Sequence, residues 1–414
     1  MEAAARAPRY MSRFRCIAEA CEDTCCSGLT VPISESRWRL LRDRVEGTPD
    51  AARVQALITP NPEGSAGPLA GLLGKREDGH CGFLDADKLC SLQRRHGEPV
   101  LPDGCSVFPR VITRWGEQLE MAGSLACPET ARLCLLAEDA LEPESVSEAH
   151  VPRAETARQV LPDDKARAWV HPADAVRAAM LRLLSVRELP LASRLHVLGR
   201  LASVLDGLAP ESEPARVESV LEAFESPDTL AALHAELSGL ELPGGPWAGI
   251  CAAVLKARAS ATTNARFRTF AQQVMAHYGG EAFSPDEAWG LHRERRERLE
   301  ATHGERLRQY FMNHARNHVL RHPLTESPSL LDAVFRLALR ASVVRWTLLG
   351  HPSVVASNGA APDVAWLDAA AVECFQLVAK HVEQAPQFLA FAQGLAGNGG
   401  AETRARLLVL VKGL

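Results

Sequence analysis

A chain of 414 residues that is 46% hydrophobic and 23% charged can bury one large or two ordinary cores, so it does not need covalent cross-links for stability. A net charge of −5 and a sequence pI near 6.3 exclude a global basic field for nucleic acid. No run approaches the roughly 20 apolar residues of a membrane helix, and Met1 to Tyr10 lacks the apolar stretch of a secretory signal. The expectation is a cytoplasmic protein with neither nucleic-acid nor membrane partners.

Residues 1–135 read as a loop-rich segment carrying nine of the eleven cysteines, Cys134 at its very end. Cys16, Cys21, Cys25 and Cys26 follow the pattern C-x4-C-x3-C-C, and Cys81, Cys90, Cys105 and Cys127 follow at wide intervals. Turn chemistry at Asn61 to Pro68 and Leu101 to Gly104 resists continuous helix. Between these lie a predicted helix from Glu35 to Val45, a short Phe83-Leu84 segment, a predicted helix from Lys88 to His96, and strand candidates at Phe108 to Arg114 and Gln118 to Ala122. Residues 138–172 are acidic and proline-bearing, which suggests a linker or an excursion.

Beyond that point the apolar period becomes helical. Leu191, Leu195, Leu198, Leu201, Ala202 and Leu205 recur at three-and-four spacing. Similar stretches run at Val217 to Phe224, Ala248 to Lys256, Phe267 to Tyr278, Leu307 to Val319, Leu330 to Leu349 and Trp366 to His381. Pro190, Gly207, Pro210, Pro243, Pro246 and Pro323 punctuate them, as helix ends require. In His292 to Arg298 the arginines alternate with glutamates, the pattern of a solvated helix face rather than an RNA-binding patch. The fold class is therefore mainly α: a small cysteine-rich, metal-binding α+β module over 1–135, then an all-helical body over 136–414.

Thiols gathered this way in a chain without an export signal favour a metal over disulfides. Thiolates are soft ligands that suit zinc and iron–sulfur clusters alike. Zinc knuckles usually use C-x2-C pairs, which are absent here, and the observed spacings sit closer to iron–sulfur ligation. Adjacent side chains tend to point apart, so Cys25 and Cys26 either serve different centres or only one of them ligates. Cys134, Cys251 and Cys374 lie in apolar helical stretches and read as small buried residues.

Tyr10, Phe14-Arg-Cys16 and Cys21-Glu-Asp-Thr-Cys-Cys-Ser-Gly28 resemble the opening of the flagellin lysine-N-methylase family, with relatives among proposed zinc- or iron-chelating cysteine-cluster proteins. The likeness continues through Cys81-Gly-Phe-Leu-Asp85, Leu89-Cys-Ser-Leu-Gln93, Leu101-Pro102, Cys105, Phe108-Pro-Arg110, Ser124-Leu-Ala-Cys-Pro-Glu129 and Ala131-Arg132, and returns in Tyr310-Phe-Met-Asn313 and Asn317. The resemblance implies a cytoplasmic enzyme that transfers methyl groups from S-adenosylmethionine to lysine ε-amino groups of a protein, with a 4Fe-4S cluster on the N-terminal cysteines. Neither a Gly-rich nucleotide-binding turn nor a C-x3-C-x2-C triad is present, so the methyl donor must be bound another way. Leu29 stands where the family usually carries Trp, Ser34 where Asp is common, and Ser106 where Arg precedes the Phe-Pro-Arg segment; these departures open the substrate to a protein or a related small amine. A zinc- or iron-binding protein without catalysis, or a redox protein using the cluster for electron transfer, are the rival readings.

A lysine attacks a sulfonium methyl only as the neutral amine, so a site must desolvate it and supply a carboxylate or hydroxyl to orient it. Glu22, Asp23, Asp85, Asp87 and Glu129 adjoin the cysteines, and Tyr10 and Tyr310 fall in family-like segments. The candidate catalytic set is Tyr10, Asp23, Asp85 and Tyr310. Arg110 and Arg132 suit the donor's carboxylate through bidentate guanidinium contacts, with Glu129 and Asn313 completing the candidate donor site. The candidate metal ligands are Cys16, Cys21, Cys25, Cys26, Cys81, Cys90, Cys105 and Cys127.

Overall fold

A computed structural model describes residues 4–60, 69–160, 173–208, 214–357, 364–385 and 387–414. The turn expected at Asn61 to Pro68 and the helix-ending Pro210 lie outside the described residues.

The chain opens with strand β1 (Ala4–Pro8) and the short helix α1 (Arg9–Arg13), neither of which the local pattern announces. Strands β2 (Pro32–Ser34), β3 (Ile58–Pro60) and β4 (Leu69–Leu73) make a small antiparallel sheet in the order β2-β4-β3. Helices α2 (Glu35–Val45) and α3 (Ala51–Ala56) pack beside it. The Ser34 hydroxyl accepts from the Arg37 amide at 3.3 Å and caps α2. Ser and Asp are both good N-caps, so this departure from the family pattern preserves the local structure.

Helix α4 (Ser91–His96) starts later than the expected Lys88, because Lys88 has a left-handed φ of 65° and Cys90 occupies the N-cap. Helix α5 (Asp103–Val107) leads into the hairpin β5 (Arg110–Trp115) and β6 (Gln118–Gly123), with Gly116 at φ 54° in its two-residue turn. Helix α6 (Pro128–Leu136) follows. The supposed linker contributes β7 (Pro143–Ser147) and β8 (Arg158–Val160) to a mixed sheet ordered β7-β1-β6-β5-β8. Its acidic, proline-bearing composition fits both sheet edges, which have one unpaired side; residues 161–172 of that stretch lie outside the described residues.

The helical body comprises α7 (Ala173–Leu184), α8 (Leu191–Leu205), α9 (Pro214–Glu225), α10 (Pro227–Gly239), α11 (Gly245–Ala261), α12 (Ala265–Ala276), α13 (Pro285–Arg321), α14 (Leu330–Leu349), α15 (Pro352–Ser357), α16 (Ala365–Val378), α17 (Phe388–Ala396) and α18 (Gly400–Lys412). The protein is mainly helical, as expected. Helix α14 is buried on nearly every face and packs against α8, α11, α13, α16 and α18, so its all-round apolar character marks the centre of the body. Helix α13 bends at His303, whose φ and ψ leave the helical region. The Arg-rich stretch there does expose Arg293 and Glu297, while His292 is fully buried against Trp247. The chain stays helical past Val378, where Ala379–Glu383 widens into a π turn. No helix among the described residues is long and apolar enough to cross a membrane.

One continuous core joins the first residues of the chain to the body. Tyr10, Met11, Phe14, Met121, Leu125 and Ala131 belong to the same apolar cluster as α8, α14 and α16. A second, smaller core around Ile33, Leu41, Phe83, Leu92 and Leu101 underlies Cys81, Cys90 and Cys105.

Candidate metal and cofactor centre

The eight N-terminal thiols divide into two neighbourhoods. Backbone pairing draws the first together: the Cys81 amide donates to the Cys26 carbonyl at 2.7 Å, Ser27 bridges to His80, and Leu84 bridges to Cys90. Cys26, Cys81, Cys90 and Cys105, with Cys25 beside them, line one cavity of ≈ 330 Å³. Leu29, Val31, Phe83, Leu92, Leu101 and Phe108 give it an apolar wall, and Thr30, Lys75, Gln93 and Gln384 bring polar groups to it. Burial pushes the Cys81 thiol up to about 11. Burial also raises Cys105, on which the thiols of Cys26, Cys81 and Cys90 press in addition. Cys26 is raised chiefly by its contact with the neighbouring Cys25 thiol, then by burial.

The second neighbourhood is Cys16, Cys21 and Cys127. Cys127 is the N-cap of α6, its thiol raised chiefly by burial, and Cys21 and Cys16 both lie within its electrostatic range. The Arg110 guanidinium stacks 5.1 Å from the Phe14 ring beside Cys16 and Cys127. Cys134, Cys251 and Cys374 are fully buried, matching their reading as small core residues.

Soft thiols without any cavity-lining carboxylate fit a zinc or iron–sulfur centre in donor chemistry. Among the described residues, however, no three His, Cys, Asp or Glu side chains converge as a set that could hold a metal ion. Thiolates about 2.3 Å from a single zinc must crowd together, whereas those of a multi-iron cluster stand apart by the width of the cluster.

The remaining candidates fasten this module to the body. Tyr10 is fully buried; its hydroxyl donates to Asn317 Oδ1 at 2.6 Å and accepts from the Gly123 amide at 2.5 Å. Asn313 donates to the carbonyls of Cys134 and Ala137 at 2.9 and 3.0 Å, satisfying the end of α6. The Tyr310 hydroxyl donates to Asp368, which also pairs with Arg306 at 2.8 Å. Asp85 faces Arg94 at 3.3 Å and Asp87 meets the same guanidinium at 2.7 Å. Arg132 is held by both Glu22 and Glu129. Of the two candidate arginines, then, only Arg110 lacks a carboxylate partner among the described residues.

Asp23 is joined by residues that sequence reasoning did not single out. It accepts from Lys380 Nζ at 2.7 Å and Gln376 Nε2 at 2.8 Å, and Lys380 also donates to the Thr24 carbonyl at 2.9 Å. The Lys380 side chain is 0% exposed. His381, lowered to about 4 by burial, packs its ring against Gly28, and Gln384 donates to Ser124 Oγ at 3.1 Å. The π turn thus holds the C-x3-C-C loop from beneath. A π bulge is a recurrent feature of functional sites, yet Trp366 to His381 gives no sign of one in sequence. Gly28, at φ 79°, would bring a β-carbon to 3.0 Å from His381. Gly28→Ala is expected to lower unfolding stability by about 1–2 kcal/mol from the left-handed backbone alone, measured by denaturant titration; an unchanged midpoint would contradict this account of the loop.

The FliB lysine N-methylase C-terminal domain model matches residues 177–410. Lysine-N-methylase of Salmonella typhimurium (strain LT2) is 29% identical over 137 residues, 32% of this chain and 33% of that protein. Flagellar biosynthetic protein FliU of Salmonella muenchen is 28% identical over 137 residues, 32% of this chain and 78% of that protein. Lysine-N-methylase of Salmonella choleraesuis is 28% identical over 137 residues, with 33% of that protein covered. The match therefore spans about a third of the length of the two lysine-N-methylases. No solved structure matches. Because the family model takes in more than half of the chain, including α8, α13, α14, α16 and the π turn under the cysteine loop, the chain belongs to the FliB lysine N-methylase family.

Proposed function

We propose that this protein transfers methyl groups from S-adenosylmethionine to lysine ε-amino groups of a protein substrate, and that Cys26, Cys81, Cys90 and Cys105 hold an iron–sulfur cluster. The observation that carries the reading is the gathering of these four thiols around one cavity in a member of this family. Soft thiols with no carboxylate among the lining residues suit such a centre in donor chemistry, and the sequence spacing lacks the C-x2-C pairs usual for zinc. When bound, such a group would supply polarisable, Lewis-acidic iron.

The chain's own residues have three tasks in this reading. Arg110, half-buried and without a carboxylate partner among the described residues, is the guanidinium free to grip the donor's carboxylate. Apolar walls such as Leu29, Phe83 and Phe108 exclude water, which favours the neutral form of an incoming lysine. Asp23, Tyr10 and Tyr310 act by position: their polar atoms are engaged in joints that keep the cysteine loop and α6 in place. Leu29 is the family departure that faces the cavity, so a smaller side chain there widens the space for the amine.

Purification without oxygen should yield a coloured protein with iron and sulfide in similar amounts. Incubation with S-adenosylmethionine and lysine-bearing proteins should add the mass of one or more methyl groups to lysine, read by mass spectrometry. A colourless zinc protein that methylates nothing would replace this reading with a cysteine-cluster protein devoid of catalysis.

A further inference from the structure

Glu383, the last residue of the π turn, lines a different cavity from the one its neighbour Gln384 faces. This second cavity, of ≈ 260 Å³, lies where α13, α14 and the π turn meet β8. Arg158, Arg336, Arg340, His318 and His322 line it, against two carboxylates, Glu326 and Glu383. Both carboxylates already have a guanidinium: Arg340 Nε donates to Glu383 at 3.3 Å, and Arg158 pairs with Glu326 at 2.7 Å. Among the described residues, Arg336 has only the Ser327 hydroxyl at 3.4 Å and the Gln393 side chain at 3.5 Å. Asp332 and Glu326 act on it only through space.

The histidines compound the imbalance. His318 is 8% exposed and its ring lies 4.4 Å from that of His322. Among the described residues, the buried Nε2 of His322 has no hydrogen-bond partner, nor does the buried Nε of Arg158 or of Arg321. Burial first, then Arg321, Arg340, Arg158 and Arg336, hold the His322 imidazole well below its ordinary range. Desolvated donors and positive charges are costly unless paired, and here the guanidiniums outnumber the carboxylates at a cavity with room for a ligand.

We propose that this cavity binds a small oxyanion, a phosphate or carboxylate group, through Arg336, Arg340, His318 and His322. Guanidinium forks match both groups bidentately. The apolar residues Met180, Val319 and Leu337 on the wall leave space for a short organic tail beyond the anionic head. This inference is independent of the proposed methyl transfer.

Isothermal titration of the full chain with inorganic phosphate and with malonate, each against chloride at equal ionic strength, tests it. One saturable site is expected, with phosphate binding pointing to a phosphate group and malonate binding to a carboxylate. Arg336 is at the cavity edge and half-buried, so Arg336→Gln should fold and weaken the binding by about ten-fold, near 1.4 kcal/mol. Arg182→Gln, on the exposed face of α7, should leave it unchanged. His318→Gln gives the same reading if Arg336→Gln does not fold. The proposal is overturned if neither anion saturates, or if binding survives undiminished in both cavity variants.

Discussion

Serine at Cys90 is expected to strip nearly all iron from protein purified without oxygen and to abolish methyl transfer, while serine at Cys16 leaves the iron content close to that of the parent. The two thiols carry the same chemistry and resemble the same family pattern, but they occupy different neighbourhoods. Cys90 lines the cavity with Cys26, Cys81 and Cys105, and its thiol is raised by burial; Cys16 is exposed and faces Cys127 and Arg110. A serine hydroxyl is a harder, more basic ligand than a thiolate and holds iron–sulfur centres poorly. Because ligand loss can also unfold a metal-dependent module, far-ultraviolet circular dichroism should accompany the iron count. Equal loss of iron in the two variants, with both folded, would leave the division of the thiols without functional meaning.

Lys380→Met should destabilise the fold by about 3 kcal/mol, in the range for removing one partner of a buried ion pair. Lys380 Nζ is the shortest contact to Asp23, whose carboxylate is 6% exposed. Gln376 would remain as a donor at 2.8 Å, and Arg266, at 3.8 Å, is too far to replace the lost hydrogen bond. Asp23 would therefore be left charged and under-compensated beside Cys21 and Cys25. The double variant Asp23→Asn with Lys380→Met should recover much of the loss, since removing both charges removes the desolvation cost as well. Urea unfolding of the single and double variants measures both effects. A single-variant loss under about 1 kcal/mol would show that the pair does not hold the cysteine loop to the body.

Local pattern was enough for most of the helices. Leu191–Leu205 and Leu330–Leu349 emerge with the boundaries their periodicity indicates, and Glu35–Val45 does as well, because Ser34 caps it. The strands of the β5-β6 hairpin shift by only one or two residues from Phe108 to Arg114 and Gln118 to Ala122. Where expectation and structure part, a distant partner is the reason. β1 exists because β6 and β7 flank it, more than 100 residues away, and β8 has only β5 to pair with. Residues 4–8 and 158–160 have too little alternation of their own to declare a strand. The continuous core likewise draws Tyr10 and Phe14 into the helical body, so the cysteine-rich stretch and the helices share their largest apolar cluster.

Among the candidate side chains, residue type told which chemistry was present but not which groups were free. Arg110 and Arg132 are equivalent in sequence, yet Glu22 and Glu129 occupy Arg132 while Arg110 stacks on the Phe14 ring with no carboxylate partner among the described residues. Tyr10 and Tyr310 looked like groups that could orient an amine, and both have their hydroxyls bound in buried joints.

The sequence by itself determined a soft-ligand inventory of eight clustered thiols, a mainly helical chain and a family resemblance, because ligand softness, helical period and motif order are properties of residues and their near neighbours. Only the tertiary structure decided that the thiols part into two neighbourhoods, that Lys380 and Gln376 close over Asp23 from more than 350 residues away, and that arginines and histidines from separate elements share one cavity. Such encounters depend on which distant surfaces bury each other, and no local pattern encodes that choice.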